Sequence, residues 1–261
     1  MTCPKIVDTF RIEGLIPPPK SGPGLRGRPA YERRALVEAM LYMTKSGCQW
    51  RLLPREFGRW QSVYRYFNDW SRSGLWARLL EHLGVRERVR QGHHPRPSAG
   101  CVDSQSVKAA NQPVTAISFD GHKRNKGRKR HVLTDTLGII LCVLVTAAGI
   151  NDRTALKALL KRRLAQGHGR RLRKLWVDAG YSGQGLRDWV RGLKPTHKID
   201  LEVTDHQGQG FQVVPKRWVA ERAFSWLLAY RRHSKDYEVL SRNSEAMIQL
   251  SMIHILIRRL A

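Results

Sequence analysis

Three carboxylates sit where this sequence could use them for chemistry. Asp103 closes the short apolar run Cys101–Val102, and Asp178 closes Leu175–Trp176–Val177. Glu221 lies in Trp218–Glu238, a helix-like segment otherwise apolar and basic, with Arg217 one turn before the acid and Arg222, Arg231, Arg232 and Lys235 after it. The acids are 75 and 43 residues apart. Those gaps hold enough elements for all three to converge on one rim, the place where ligands bind in open α/β sheets. Oxygen donors suit hard divalent cations, Mg2+ or Mn2+, rather than Zn2+. Two such ions about 3.5–4 Å apart activate a nucleophilic oxygen and stabilise a leaving oxygen in phosphodiester chemistry. Without metal, crowded carboxylates repel one another. The competing readings are an ion pair with Arg217 for Glu221 and an ordinary turn for Asp178. Asp120 before Gly121 and Asp135 at a hairpin turn read as turn residues, and Asn151 or Asp152 as a helix cap.

Charge supplies the second signal. The 261 residues carry 47 Lys and Arg against 21 Asp and Glu, a formal net charge of +26. Such an excess calls for a polyanionic partner, and nucleic acid is the usual one. Eight Trp and 41% hydrophobic residues imply packed cores, which argues against a ribosomal extension. Lys123–Arg130, KRNKGRKR, concentrates Lys123, Arg124, Lys126, Arg128, Lys129 and Arg130. It reads as a solvated hairpin tip or, beside an inferred metal site, as a surface that tracks phosphates. His122 and His131 flank it as weaker phosphate candidates. The four cysteines lack zinc spacing and read as thiols in a reducing compartment. The N-terminus lacks the apolar run of a signal peptide, and Ala246–Leu260 is broken by Gln249, Ser251 and His254. The expectation is a soluble, cytoplasmic, nucleoid-associated protein with no membrane contact.

These side chains need a scaffold. Residues 1–30 end in PPPKSGPGLRGRP, a basic linker or arm. Three helical stripes follow: Leu36, Val37, Met40 and Leu41; then Trp60, Val63, Tyr64, Phe67 and Trp70; then Leu75, Trp76, Leu79, Leu80 and Leu83. They suggest a helix-turn-helix type module whose DNA contacts come from Arg51, Arg55, Arg59, Arg65 and Arg72. Residues 84–99 are charged and contain proline, with His93 and His94 as linker residues, so the domains are drawn as 1–92 (helical DNA-binding region), 93–99 (linker) and 100–261 (catalytic domain). From Gly100 the pattern turns to strands and helices: a short strand ending at Asp103, a hairpin of 131–134 and 139–146 about DTLG, a helix over 152–164, a strand over 172–177, a helix over 185–191, a strand over 198–204, and a buried helix over 244–260. This is an α/β domain with a mixed sheet.

Taken together, these segments resemble the bacterial insertion-sequence DDE transposases, within them the branch numbered family five. The resemblance runs through GRPAYERR, LYMTKSGCQWRLLP, WQSVYRYFNDWSRSGLWARL, VDSQSVKAA, KGRKRHVLTDTLG, VTAAGINDR, WVDAGYSG and ERAFSWL…RR…KDYE, nearly the whole chain. It implies an RNase H-like catalytic fold behind the helical region, with Asp103, Asp178 and Glu221 as a triad holding two Mg2+ or Mn2+ ions. It also implies double-stranded DNA as partner, binding of terminal inverted repeats, cleavage and strand transfer, and a homo-oligomer when two ends are synapsed. The signature around the glutamate is Tyr-x2-Arg-x3-Glu-x6-Lys; Arg217 and Glu221 fit it, whereas Val214 and Leu228 stand at the Tyr and Lys positions. Arg231, Arg232 or Lys235 is then the candidate for the basic role. The rival functions are an RNase H-like nuclease or resolvase without strand transfer, and a catalytically inactive DNA-binding regulator.

Overall fold

A computed structural model describes residues 12, 14–18, 31–110, 115–193, 196–204 and 218–261. The three expected helices form as α1 (Arg33–Ser46), α2 (Trp60–Arg72) and α3 (Leu75–Arg90). Each buries the stripe its periodicity announced: Leu36, Val37, Met40 and Leu41 on α1, Val63, Phe67 and Trp70 on α2, and Leu75, Leu79 and Leu83 on α3. Gly47 ends α1 in the left-handed region, φ 71°, with its amide donating to the Met43 carbonyl at 3.0 Å. A side chain there would also collide with Arg231, whose Cβ would lie 2.9 Å from the added atom.

The rest is a six-stranded mixed sheet made of β1 (Ala99–Lys108), β2 (Ser118–Asp120), β3 (Asn125–Asp135), β4 (Ile140–Ala147), β5 (Lys174–Val177) and β6 (Asp200–Val203). Strand β3 pairs antiparallel with β1 on one edge and with β2 and then β4 on the other. On the far side of β1, β5 and β6 continue the sheet in parallel. This is the RNase H-like order. Helices α4 (Asp152–Ala165) and α5 (Gln184–Gly192) complete one face around Leu156, Leu159, Leu160, Leu186 and Val190. Helices α6 (Trp218–Leu228) and α7 (Ser241–Leu260) complete the other. The helix-like stretch 218–238 is therefore shorter than its pattern suggested. It breaks after Leu228 and gives a single 3-10 turn at Arg231–His233.

The helical region does not own a separate core. Side chains of α1, α2 and α3 pack in one cluster with Val132, Ile140 and Val143 of the sheet and with Ile248, Met252 and Leu256 of α7. Gly84 of α3 lies so close to the sheet that a methyl there would stand 3.2 Å from Ile139. Two ion pairs lock the contact: Arg88 with Asp135, both buried, and Arg163 of α4 with Glu81 at 2.5 Å. Residues 93–99 join α3 to β1 as a fastened strap, with Arg88 donating to the His94 carbonyl and the His94 ring bonded to Arg96.

The basic run also differs from expectation. Residues 125–130 are the first half of β3, so alternation sends their side chains to opposite faces. Arg128 and Arg130 are buried, at 0% and 2% exposure. Arg128 pairs with Asp236 and donates to the carbonyls of Thr115, Glu238 and Val239; Arg130 donates to those of His233 and Lys235. The two arginines thus fasten the irregular segment after α6 and are not phosphate contacts. Arg232, buried against Glu238 at 2.7 Å, is excluded from that role for the same reason. Burial lowers the Arg130 pKa to about 10, which still leaves it charged at neutral pH. Replacing Arg128 by Met strands Asp236, and the expected loss is about 3–5 kcal/mol of unfolding free energy, measured by denaturant titration.

Three buried histidines make stability depend on pH. His131 and His254 are pushed down to about 4, chiefly by burial, and His233, bonded to Ser251, falls well below its ordinary value for the same cause. Each stays neutral in the fold yet takes a proton when unfolded below about pH 6.5. Stability from them is fully present above that pH and is lost as pH falls toward 4, by up to roughly 3 kcal/mol for a shift of this size. Unfolding free energies measured from pH 7 to 4.5 should fall steeply, and His254→Gln should flatten the decline.

Candidate active site

The parallel pairing of β1 and β5 sets the positions of the two aspartates. Cys101 is opposite Trp176, so Asp103 and Asp178, two residues further along each strand, come side by side at the carboxyl end of β5. Both share the sheet face of Cys101 and Trp176, against which Ala220 of α6 packs. Glu221 follows Ala220 directly, on the exposed side of that helix. Asp103 and Asp178 therefore share one face of the sheet and Glu221 lies on the helix that covers it, and among the described residues no three acidic, His or Cys side chains are close enough together to hold an ion.

The donor chemistry at the aspartates fits a hard divalent cation. Asp178 Oδ1 is buried and has no hydrogen-bond partner, an acceptor that a cation or its water satisfies. Asp103 is partly oriented by its own neighbour, the Ser104 amide donating to Oδ1 at 2.8 Å.

A further carboxylate approaches from the other face. Asn151, not Asp152, caps α4: its side chain accepts from the Arg153 amide at 2.9 Å. Asp152 is thereby released to accept from the Ser104 hydroxyl at 3.1 Å and to pair with Lys129 at 3.3 Å. Gly180 separates it from Asp178, since a methyl on Gly180 would lie 3.1 Å from Asp178 Oδ1 and 4.0 Å from Asp152 Oδ2. The buried Tyr181 hydroxyl registers the whole group. Its pKa is raised well above the ordinary value, first by burial, then by the negative potential of Asp152, Asp103 and Asp178, with Ser104 working in the opposite direction. The sequence reading missed Asp152 and Tyr181 as site residues. The available signal was the pair Asn151–Asp152, in which one residue suffices for the cap.

The remaining cations divide by exposure. Arg51, Arg55, Arg59 and Arg65 are exposed on the 50–57 turns and α2, and Lys123, Arg124 and Lys126 are exposed around the β2–β3 turn. Arg231 and Lys235 are exposed as well. Lys129 is mostly buried between Asp152 and Asp120, at 3.3 and 3.7 Å. Asp120 is the turn residue expected, accepting from the His122 and Lys123 amides. Its pKa stays low despite burial because the Ser106 hydroxyl, those amides and Lys129 favour the charged form. His131 is no surface contact: it is buried and bonded to Thr146 at 3.0 Å. Arg222 lies over Trp218 and Trp226, 4.2 and 4.9 Å from the ring centres, and donates to the Leu137 carbonyl. Arg217 lies outside the described residues, as does the arm ending at residue 30. Among the described residues no helix is long and apolar enough to cross a membrane.

Comparison with known proteins shows the family of the chain. The family described as "Transposase DDE domain" matches residues 94–256, and "Putative transposase of IS4/5 family" matches residues 10–80. In Burkholderia cepacia, the uncharacterized 16.2 kDa protein of insertion element IS402 is 37% identical over 101 residues, which is 38% of this chain and 67% of that one. A second B. cepacia protein, described as "Putative transposase for insertion sequence element IS402", is 36% identical over 41% of this chain and 51% of its own length. The chain thus spans about half the length of that second relative. Among solved structures, a pre-cleavage Mos1 transpososome aligns at 15% identity over 90% of this chain and 78% of that chain, with a TM-score of 0.33, too low to carry an argument. The match over 94–256 takes in the sheet, Asp103, Asp178 and Glu221, and on it the chain belongs to the transposase DDE domain family.

Proposed function

We propose that this protein binds the ends of an insertion sequence and cuts and rejoins DNA strands there. The observation that carries the reading is the pairing of β1 with β5, which brings Asp103 and Asp178 together on the face covered by the helix of Glu221. Asp103, Asp178 and Glu221 would hold Mg2+ or Mn2+, two ions per site, which when bound activate the attacking oxygen and stabilise the leaving oxygen of an in-line displacement. The protein's own groups do the positioning. Lys129 and Ser104 hold Asp152 beside the aspartates, so its negative charge adds to the demand for a cation while being partly offset. Tyr181 stays protonated and closes the buried side of the cluster.

Water and a 3′-hydroxyl are chemically equivalent nucleophiles at such a site, so one set of carboxylates serves both hydrolysis that frees an element end and its attack on target DNA. Lys123, Arg124 and Lys126 supply backbone contacts near the sheet, and Arg51, Arg55, Arg59 and Arg65 supply them from the helical region, which reads the terminal inverted repeats. Arg231 and Lys235, both exposed, remain the candidates for the basic role left open by Leu228. Joining two ends requires at least two protomers, so the complex on paired ends is a homo-oligomer.

The decisive experiment incubates labelled duplex carrying the element's own end with the protein and Mg2+ or Mn2+. Metal-dependent nicks and joined products are expected from wild type. Asp103→Asn, Asp178→Asn and Glu221→Gln should each abolish both while retaining DNA binding. Cleavage that survives all three substitutions would sink the assignment, and nicks without joined products would mark a nuclease. A second measurement separates exposed from buried cations. Replacing Lys123, Arg124 and Lys126 together by Ala should leave the melting temperature nearly unchanged and flatten the salt dependence of DNA affinity, by roughly 0.9 in log–log slope for each phosphate the variant no longer neutralises.

A further inference from the structure

The first turn of α4 holds an acid with one oxygen committed and one idle. Because Asn151 takes the Arg153 amide, Asp152 is free to turn Oδ1 to the sheet. That oxygen accepts from the Ser104 hydroxyl at 3.1 Å and from the Lys129 ammonium at 3.3 Å. Among the described residues no hydrogen bond or ion pair reaches Oδ2, which lies on the side of Gly180. A methyl placed on Gly180 would stand 4.0 Å from Asp152 Oδ2 and 3.1 Å from Asp178 Oδ1. The missing side chain thus leaves a gap of atomic size between two carboxylates, at the end of β5. Asp178 Oδ1 is itself buried and without a hydrogen-bond partner.

Two such oxygens on one gap repel each other unless a positive group stands between them. Lys129 does not fill that place, because its ammonium is spent between Asp152 Oδ1 and Asp120, at 3.3 and 3.7 Å. A third group faces the same acids. Tyr181 is 1% exposed, and its hydroxyl has no hydrogen-bond partner although it feels the negative potential of Asp152, Asp103 and Asp178. A buried hydroxyl left idle is costly, and a water held beside it would complete its bonding. The nearest imidazole, His131, is bonded to Thr146 through Nε2 and has Nδ1 3.7 Å from Asp152 Oδ1, so it does not serve the gap.

Oxygen donors without sulfur or imidazole select a hard ion. Mg2+ and Mn2+ suit such donors, and Mg2+ typically takes one or two carboxylates and keeps several waters, so a cage of three acids is not required. We propose that Asp152 and Asp178 ligate one divalent cation over Gly180, which makes Asp152 a metal ligand outside the triad of Asp103, Asp178 and Glu221. The inference rests on the reading of the aspartates as a cation site and adds a fourth acid to it. Ser104 and Lys129 are then positioning residues: they fix Oδ1 and so leave Oδ2 to the gap. Lys129 also offsets one of the crowded charges without taking the place of the ion.

The test is Mn2+ binding to the full chain without DNA, read from the paramagnetic resonance signal of the free ion, so that no turnover enters. Asp152→Asn should weaken binding roughly tenfold, the order lost when a group beside a metal is removed. Gly180→Ala should weaken it as much, by filling the gap while every acid stays in place. Two controls should leave the affinity unchanged: Asp188→Asn, which removes one exposed charge on α5, and Gly185→Ala, where a methyl meets nothing. Melting curves check the fold of each variant. Anomalous diffraction from wild-type crystals soaked in MnCl2 needs no variant and should place an ion bonded to Asp178 and Asp152. Unchanged affinity in either Asp152→Asn or Gly180→Ala, or an ion held by Asp103 and Asp178 without Asp152, would overturn the proposal and leave the transposase reading standing. Binding that neither Asp152→Asn nor Asp178→Asn alters would overturn both.

Discussion

Much of the structure hangs on one buried charge, Asp135. Its carboxylate ends β3 and accepts from the Leu137 and Ile139 amides, at 2.9 and 2.8 Å, so that it builds the tight turn into β4. The same group pairs with Arg88 from α3, itself buried. Burial raises the Asp135 pKa while Arg88 and the two amides work against the rise, so its ionised form exists there only by virtue of its partners. Removing Arg88 would leave a lone charge in an apolar interior, a far larger penalty than a surface pair carries. The turn, the angle of α3 on the sheet and the seat of Arg222 on the Leu137 carbonyl are therefore set together.

That coupling extends to the face that carries the aspartates. The register between β1 and β5 makes two aspartates neighbours, and neighbouring carboxylates raise each other's energy in the absence of counter-charge. The fold answers only in part: the Ser104 amide donates to Asp103, and Lys129 on β3 offsets Asp152, a further carboxylate that the Asn151 cap of α4 leaves free. Helix α6 is held over the strands by apolar contacts of Ala220, Ala223 and Phe224, while its other side carries Glu221 and the Trp218–Arg222–Trp226 stack. A further arginine, Arg259 of α7, lies 4.2 Å over Trp226 and extends the stack to the last helix.

The sequence was a good guide wherever one local signal had one meaning. Asp135–Gly138 gave the hairpin, Gly47 gave the end of α1, and the apolar run before Asp178 gave the end of β5, whereas the strand expected to stop at Asp103 runs on to Lys108. It was a poor guide where one composition serves opposite environments. Nothing in KRNKGRKR distinguishes Arg128 and Arg130, turned inward to bind carbonyls, from Lys126, turned to solvent. All three stand in the same phase of the strand, so alternation does not separate them either; what differs is that the segment after α6 covers Arg128 and Arg130. The pair Asn151–Asp152 concealed a site residue in the same way, because both side chains are good caps. The boundary drawn near residue 92 marks a change of pattern along the chain, whereas packing ignores it. The faces that make the core continuous, such as Gly84 against Ile139, carry no sequence mark of their partner.

The strap at residues 93–99 has a consequence for how such proteins can be recombined. It has the look of a joint at which one helical module could be exchanged for another. Yet Gly84 against Ile139, Glu81 with Arg163 and Arg88 with Asp135 all cross from one side of that joint to the other. A helical region transplanted from a relative brings only half of each pair. Divergence of the helical region must then proceed by substitution on the exposed surface of the helices, or by paired change on both sides of the strap, because a clean cassette exchange would tear the core in two.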